Sequence, residues 1–451
     1  MVKTLKKMML CLKLFRKNDF LFFINELVAL KHNNTFTFSK KTQTEYQIIE
    51  MEILEKLYGM TAFGDLIENP ATLLMIGIAF IMLYMGIWKR FEPLLLVPIA
   101  FGLLLANFPG GMMSVTPATE ENGIAHMTIL EIAKDHGIMN MLYYVLIKTG
   151  LLPPLIFMGV GAMTDFGPML RNLRLAFFGA AAQIGIFTVM ISAVWFGFPI
   201  KEAAALGIIG GADGPTAIYT AIVLADRLLG PIAIAAYSYM ALVPVIIPLV
   251  VKYTVSEKEL AINMKEQEKL FPNKIKIKNI RTLKILFPIA LGTIVSLLVP
   301  SSVPLVGMLL FGNLIKEIGT DTNRLFKAAS ETIMNTATIF LGLTVGATMT
   351  ASTFLNQETL MIVGGGFLAF AISIAGGIYA VKIYNLFSKK KINPLIGATG
   401  LSAVPMASRV ANEIALKVDP KNHILQYAMS SNISGVIGSA VAAGVLISFL
   451  K

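Results

Sequence analysis

Runs of about twenty consecutive apolar residues leave a chain few options, because a segment of that length crosses a bilayer and lipid offers the backbone no hydrogen-bond partner. The chain carries several, among them 71–88, 173–198, 230–250, 358–382 and 428–449. Each satisfies its own N–H and C=O groups as a helix, so the expected fold class is an all-α polytopic membrane protein. A composition of 55% hydrophobic and 14% charged residues over 451 positions is too apolar for a soluble protein. The net charge of +11 does not point to nucleic acid, since the lysines and arginines lie in short loops between apolar runs, where they set orientation. Cys11 and the scattered His32, His126, His136 and His423 form no metal-binding or haem-attachment pattern, which argues against redox chemistry.

The apolar segments form two series. The first comprises 71–88, 93–108, 141–163, 173–198, a broken segment at 202–228, and 230–250. The second comprises 285–299, 303–315, 333–351, 358–382, a broken segment at 393–415, and 428–449. The expected organisation is therefore an extension over 1–60, a first membrane repeat over 61–251, a basic loop over 252–284, and a second repeat over 285–451. Residues 1–50 hold nine Lys or Arg against four acids, whereas 51–70 hold four acids against one Lys. The sign changes at Met51, and a chain that begins there is expected to insert and function like the longer one.

The broken segments carry the chemistry. In the first, Gly207, Gly210, Gly211, Gly214 and Pro215 surround a single acid, Asp213. A carboxylate at bilayer depth is expensive unless it is paired, and Gly with Pro frees backbone carbonyls that can help hold a cation. The plainer alternative is that Asp213 caps the turn that follows at Pro215. The second segment repeats the first: GIIGGADGPTA at 207–217 and GATGLSAVPMA at 397–407 share G-x-x-G-x-x-x-x-P-x-A. Val160-Gly161-Ala162 is echoed by Val345-Gly346-Ala347, and Val97-Pro98 by Val303-Pro304, in the same order.

Basic loops then set the topology. If each broken segment dips in and returns to its own side, then Lys89-Arg90, Arg171/Arg174, the central loop, Lys316/Arg324/Lys327 and Lys389-Lys390-Lys391 all face the cytoplasm. Each half crosses five times and the halves are inverted, with the Asp213 hairpin opening outward and the second hairpin opening inward. Arg227 is the misplaced charge. The second hairpin has Ala403 where the first has Asp213, and offers Asn393, Thr399, Ser402, Asn412 and the guanidinium of Arg409. Neutral oxygens suit a hard ion such as Na+, and an arginine fork suits a carboxylate. Arg409 as a snorkelling interfacial residue, and Ser402 and Thr399 bonded back to helix carbonyls, are the competing readings. Tyr239, in AAYSYMALVP, sits on a helix that can face the first hairpin.

GGADGPTAIYTA at 210–221, YSYMALVP at 237–244 and NPLIGATGLSAVPMASRVAN at 393–412 resemble the membrane-embedded beta subunit of the sodium-transporting biotin-dependent decarboxylases, which serve oxaloacetate, methylmalonyl-CoA and glutaconyl-CoA. The resemblance covers about residues 60–451. It implies a multi-pass protein of the bacterial inner membrane that decarboxylates carboxybiotin carried by a partner subunit, consumes a proton and exports Na+. It implies as partners a biotin carrier and carboxyltransferase (alpha) subunit and a small membrane gamma or delta subunit, around a homotrimeric beta core with moving and static parts. Carried over position by position, it gives catalytic roles to Asp213, Tyr239, Ser402 and Arg409 and carboxybiotin contacts to Asn393 and Arg409. Asp213, Asn393, Gly397, Ser402 and Asn412 become the expected Na+ site. The alternative from another class is a secondary sodium–carboxylate symporter or sodium–proton antiporter, which needs no biotin partner.

Overall fold

The computed structural model describes residues 58–116, 124–272, 279–403 and 405–451. Up to residue 57, the expected extension lies outside them. The chain divides at Gly64 into two compact units, and the second, Asp65–Lys451, holds the membrane fold. Helices and no strand build the described residues. In chain order the principal helices are α1 (Pro70–Ile87), α2 (Pro93–Ala106), α3 (Leu152–Met163), α4 (Leu173–Ala182), α5 (Ile184–Trp195), α6 (Ile200–Ile208), α7 (Gly214–Leu224) and α8 (Leu229–Thr254). Then follow α9 (Ile280–Leu298), α10 (Met308–Ile318), α11 (Met334–Ala347), α12 (Gln357–Phe387), α13 (Leu395–Ala398), α14 (Met406–Val418) and α15 (Leu425–Leu450).

Six helical stretches among the described residues are long and apolar enough to cross a bilayer, or up to eight if each bent pair counts as one span. The sequence reading of ten crossings is higher, because it counts short helices as full spans. The stretch expected as one crossing at 141–163 is instead two helices meeting at 65°. Gly150 supplies a left-handed turn there, at φ 72°, and Pro153 and Pro154 follow at the start of the next helix. α2, at 14 residues, is about 21 Å long, short of the roughly 30 Å of hydrocarbon.

The helices pack in two sets. In one, α2 lies along α11 and α3 along α10, with α1 on α2 and α9 on α10. Small residues make these contacts close, as expected where lipid supplies no hydrophobic drive between helices. A Cβ built on Gly161 would fall 1.8 Å from the Leu309 carbonyl oxygen, and one on Gly312 would fall 1.9 Å from that of Met158. The Asn313 amide closes the α3–α10 seam by donating to the carbonyls of Gly161 at 3.3 Å and Thr164 at 2.8 Å. Because the obstruction at Gly161 is backbone, it cannot rotate away. Gly161→Val should therefore separate α3 from α10 at a cost of about 3 kcal/mol or more. Thermal unfolding of the purified protein in detergent checks this, and an unchanged midpoint would refute it.

In the other set α4 lies along α15, α8 along α12, α5 on α6 and α12 on α13, while α14 touches both α8 and α15. α12 is a ruler through this set, with 31 residues spanning about 46 Å. At its start Glu358 meets Arg227 at 2.8 Å, and Arg227 also meets Glu202 at 2.8 Å. The two ends of the first broken segment, 202 and 227, are thus side by side, which makes it a hairpin, and the misplaced charge of Arg227 is neutralised by two carboxylates. Near the other end of α12, Asn385 donates to the Ile392 carbonyl at 2.7 Å, just before the second broken segment. The base of that second hairpin is clasped by residues 260–264. Asn393 donates to the Leu260 and Ile262 carbonyls, Asn422 donates to Ile262 at 3.0 Å, and Asn263 donates to Asp419 at 3.1 Å. The hairpins therefore enter from opposite ends of α12 and meet beside its middle.

Candidate functional site

The hairpin tips touch through the backbone: the Ser402 N–H donates to the Gly211 carbonyl at 3.1 Å. On the ruler helix, Ser373 donates to the Gly210 carbonyl at 2.6 Å, and Gly377 and Gly397 each set the missing side chain against the other's carbonyl. In the first tip the chain leaves α6 through a short 3₁₀ turn, swings at Ala212 into the left-handed region (φ 55°, ψ 41°), and restarts as α7. Pro215 suits that restart because an N–H in the first helical turn has no partner to lose. The swing leaves Asp213 at the head of α7, 5% exposed.

Asp213 is a cap and more than a cap. Its Oδ1 accepts from the Thr216 N–H at 3.2 Å, which is the helix-cap bond. Its Oδ2 accepts from Ser439 Oγ on α15 at 2.8 Å, and the Ser439 and Ser402 hydroxyls lie 2.8 Å apart. A hydroxyl chain thus links the second hairpin to the carboxylate of the first. Among the described residues no Lys, Arg or His lies within ion-pair distance of Asp213. A buried carboxylate without a protein cation is costly, and a proton or a bound cation relieves that cost.

Three buried polar atoms around this point have no partner among the described residues: Thr216 Oγ1, Tyr237 Oη and Gln183 Oε1. Gln183 is fixed by its amide N–H groups, which donate to the Gly179 carbonyl at 3.1 Å and reach those of Gly435 at 3.3 Å and Gly400 at 3.5 Å. Its oxygen lies 3.6 Å from the position of a Cβ on Gly211, and Ser439 Cβ lies 3.2 Å from that same position. Asp213, Ser439 and Ser402 therefore form a connected set of hard oxygen donors, the type that fits Na+, and the orphaned Gln183 oxygen faces Gly211 at the same hairpin tip. Sequence reasoning nominated the first two and missed Ser439 and Gln183.

The other expected ligands are placed elsewhere. Asn393 is fully committed at the hairpin base, where its amide donates to the Leu260 and Ile262 carbonyls and its oxygen accepts from the Leu395 N–H at 3.0 Å. The Asn412 oxygen accepts from the N–H groups of Ile424 and Leu425 at 3.0 and 3.1 Å, which caps the start of α15. Gly397 serves close packing against α12. Thr399 bonds back to the Ile396 carbonyl at 2.8 Å and across to Ala428 at 3.0 Å. Tyr239 donates to the Val363 carbonyl and packs on Phe367 and Phe370. It faces α12, and Tyr237 is the tyrosine that reaches the site.

A cavity of about 120 Å³ lies between the two helix sets, with Asp213, Ser402 and Tyr237 on one wall and residues of α2, α3 and α11 on the other. Glu92, in the turn before α2, lines the same space. Met406 of α14 does too, and one helical turn further Arg409 is exposed. Burial pushes the Glu92 carboxyl above the usual carboxylate range, and the Arg409 guanidinium pulls it back down. At the second hairpin's base, Arg171, Arg174, Lys389 and Lys390 line a larger cavity of about 960 Å³, so two basic loops gather at one end beside residues 264–272 of the central loop.

Residues 71–450 match the model of the Na+-transporting oxaloacetate decarboxylase beta subunit family. The methylmalonyl-CoA decarboxylase subunit beta of Propionigenium modestum is 47% identical over 406 residues, covering 88% of this chain and 99% of the relative. The oxaloacetate decarboxylase beta chain of Haemophilus ducreyi is 44% identical over 84% of this chain and 94% of the relative, and the methylmalonyl-CoA decarboxylase subunit beta of Veillonella parvula is 45% identical over 86% and 95%. With six to eight apolar spanning helices and a family match along nearly its whole membrane fold, the chain belongs to the Na+-transporting oxaloacetate decarboxylase beta subunit family, as the multi-pass membrane subunit of a sodium-pumping decarboxylase.

Proposed function

We infer that the chain releases CO₂ from a carboxylated biotin brought by a partner subunit and uses that step to carry Na+ outward. The observation that carries this reading is Asp213: a buried carboxylate with no protein cation beside it among the described residues, held where two hairpins from opposite ends meet, on the wall of a cavity. Na+ is the cargo, held by Asp213 with Ser402, Ser439 and Gln183. Arg409 holds the arriving carboxylate by its fork. Loss of CO₂ breaks the N–C bond of the carboxylated ring and leaves the electron pair on nitrogen, which takes one proton. Asp213 releases a proton when Na+ binds, so one group serves both sides of the exchange.

The same reading puts the basic loops and the second hairpin's base in the cytoplasm, where the biotin carrier and the carboxyltransferase (alpha) subunit dock. A small gamma or delta membrane subunit and a trimer of this chain complete the complex. The inverted repeat is supported by the packing pairs: α2 with α11 mirrors α10 with α3, and α4 with α15 mirrors α12 with α8. Relatives named for oxaloacetate and for methylmalonyl-CoA are 44% and 47% identical, an even similarity that fits a substrate held on another subunit.

The test uses the complete complex in inverted vesicles, following ²²Na+ uptake and CO₂ release together. Na+ should stimulate CO₂ release, and avidin should stop both signals. Uptake that continues under avidin would sink the reading in favour of a secondary transporter.

A further inference from the structure

A second carboxylate faces the same cavity and has no role in the mechanism above. Glu92 immediately precedes Pro93 at the head of α2, and its backbone lies in the left-handed region at φ 38°, ψ 63°. Its side chain is half-buried and lines the space that Asp213 and Ser402 line. Lys89 and Arg90, which precede it, are exposed and contribute nothing to the lining. Asn335 does contribute. α2 and α11 run side by side, with Gly342 against Pro98 and Gly346 against Ile99, a register that brings Glu92 beside Asn335 at the same helix ends. A carboxylate and an amide side chain therefore both line the cavity from the α2 and α11 side.

The neighbour that matters is Arg409. Glu92 has no ion-pair partner among the described residues. It lines the same cavity as Met406, and Arg409 follows Met406 by one turn of α14. While Arg409 is free, its charge opposes a cation beside Glu92. Once a carboxylate sits on Arg409 that opposition is cancelled, and in a low-dielectric cavity such a change is large. We propose that Glu92, with Asn335, is an entry site for the monovalent cation, loaded only after an anion has docked on Arg409. Such an order links the ion to the chemistry: a cation finds its first station when carboxylated biotin is in place, and idle complexes do not leak. The inference rests on the functional reading above, with Asp213 as the final site.

The test is Na+ titration of the complete complex in inverted vesicles, for wild type, Glu92→Gln, Glu92→Asp and Asn335→Ala. In Glu92→Gln the half-saturating Na+ should rise about 3- to 10-fold, with turnover at saturating Na+ falling by a smaller factor. Glu92→Asp should recover most of the shift, and Asn335→Ala should show a smaller rise in the same direction. A second readout is ²²Na+ binding to the complex with its biotin carboxylated or free: carboxylation should tighten binding in wild type and have less effect in Glu92→Gln. Unmoved half-saturation in Glu92→Gln overturns the entry site. Equal loss of turnover in Glu92→Gln and Glu92→Asp at every Na+ concentration also overturns it, because the residue would then serve the fold. Neither result touches the reading of Asp213, which fails separately if Asp213→Asn still pumps.

Discussion

Asp213→Asn is expected to fold, to assemble with its partner subunits, and to lose Na+ uptake together with Na+-stimulated CO₂ release, by about 100-fold or more. The amide keeps the shape, and its oxygen can still accept from the Thr216 N–H, so the cap on α7 survives. What disappears is the negative charge, and with it the reason for a cation to leave water for a site of neutral oxygens. A 100-fold loss corresponds to about 2.7 kcal/mol, a modest demand for a whole charge in a buried site. Asp213→Glu should retain a trace, since the longer arm pushes its oxygens past Ser439 in a tip packed with glycine. Proton and Na+ compete for one carboxylate, so Na+ binding weakens as pH falls, and raising Na+ should move the acid limb of the wild-type rate profile to lower pH. ²²Na+ uptake and CO₂ release across a pH series measure both effects. Uptake by Asp213→Asn, or an acid limb that ignores Na+, would leave Asp213 as a helix cap.

Arg409→Lys should assemble normally and lose about 10- to 100-fold in turnover with carboxybiotin, even though its charge is kept. One turn before it on α14, Met406 lines the cavity that Glu92 and Asp213 also line. A fork that grips a carboxylate through two parallel bonds loses at least one of them as an ammonium, and a charge-assisted bond contributes about 1.5–3 kcal/mol. Single-turnover release of ¹⁴CO₂ from pre-carboxylated complex isolates this step from the partner's chemistry. Near-normal release in the lysine variant would make Arg409 an interfacial anchor.

The sequence by itself determined that the chain crosses a membrane as helices, that it contains two related broken segments, and that Asp213 is the charge to explain. Those features are local: apolar runs follow from hydropathy, and an acid among glycines at bilayer depth is costly wherever the chain goes. Tertiary structure decided which oxygens surround that acid. Ser439 and Gln183 look in sequence like any small polar residue on an apolar helix, and they become site residues because α15 and α4 cross the hairpin tips. Asn393 and Asn412 lie in the specific motif, yet the fold spends their side chains on backbone groups at a hairpin base and a helix start. Tyr237 and Tyr239 are two positions apart, about 200° around α8, so one can meet the cavity while the other meets α12. α8 is apolar on both faces, which leaves its rotation to packing. Glu92 sits in a turn 121 residues before Asp213 (213 − 92), and the packing of α2 along α11 is what brings it to the same space. Local chemistry names the charge, and helix packing chooses its company.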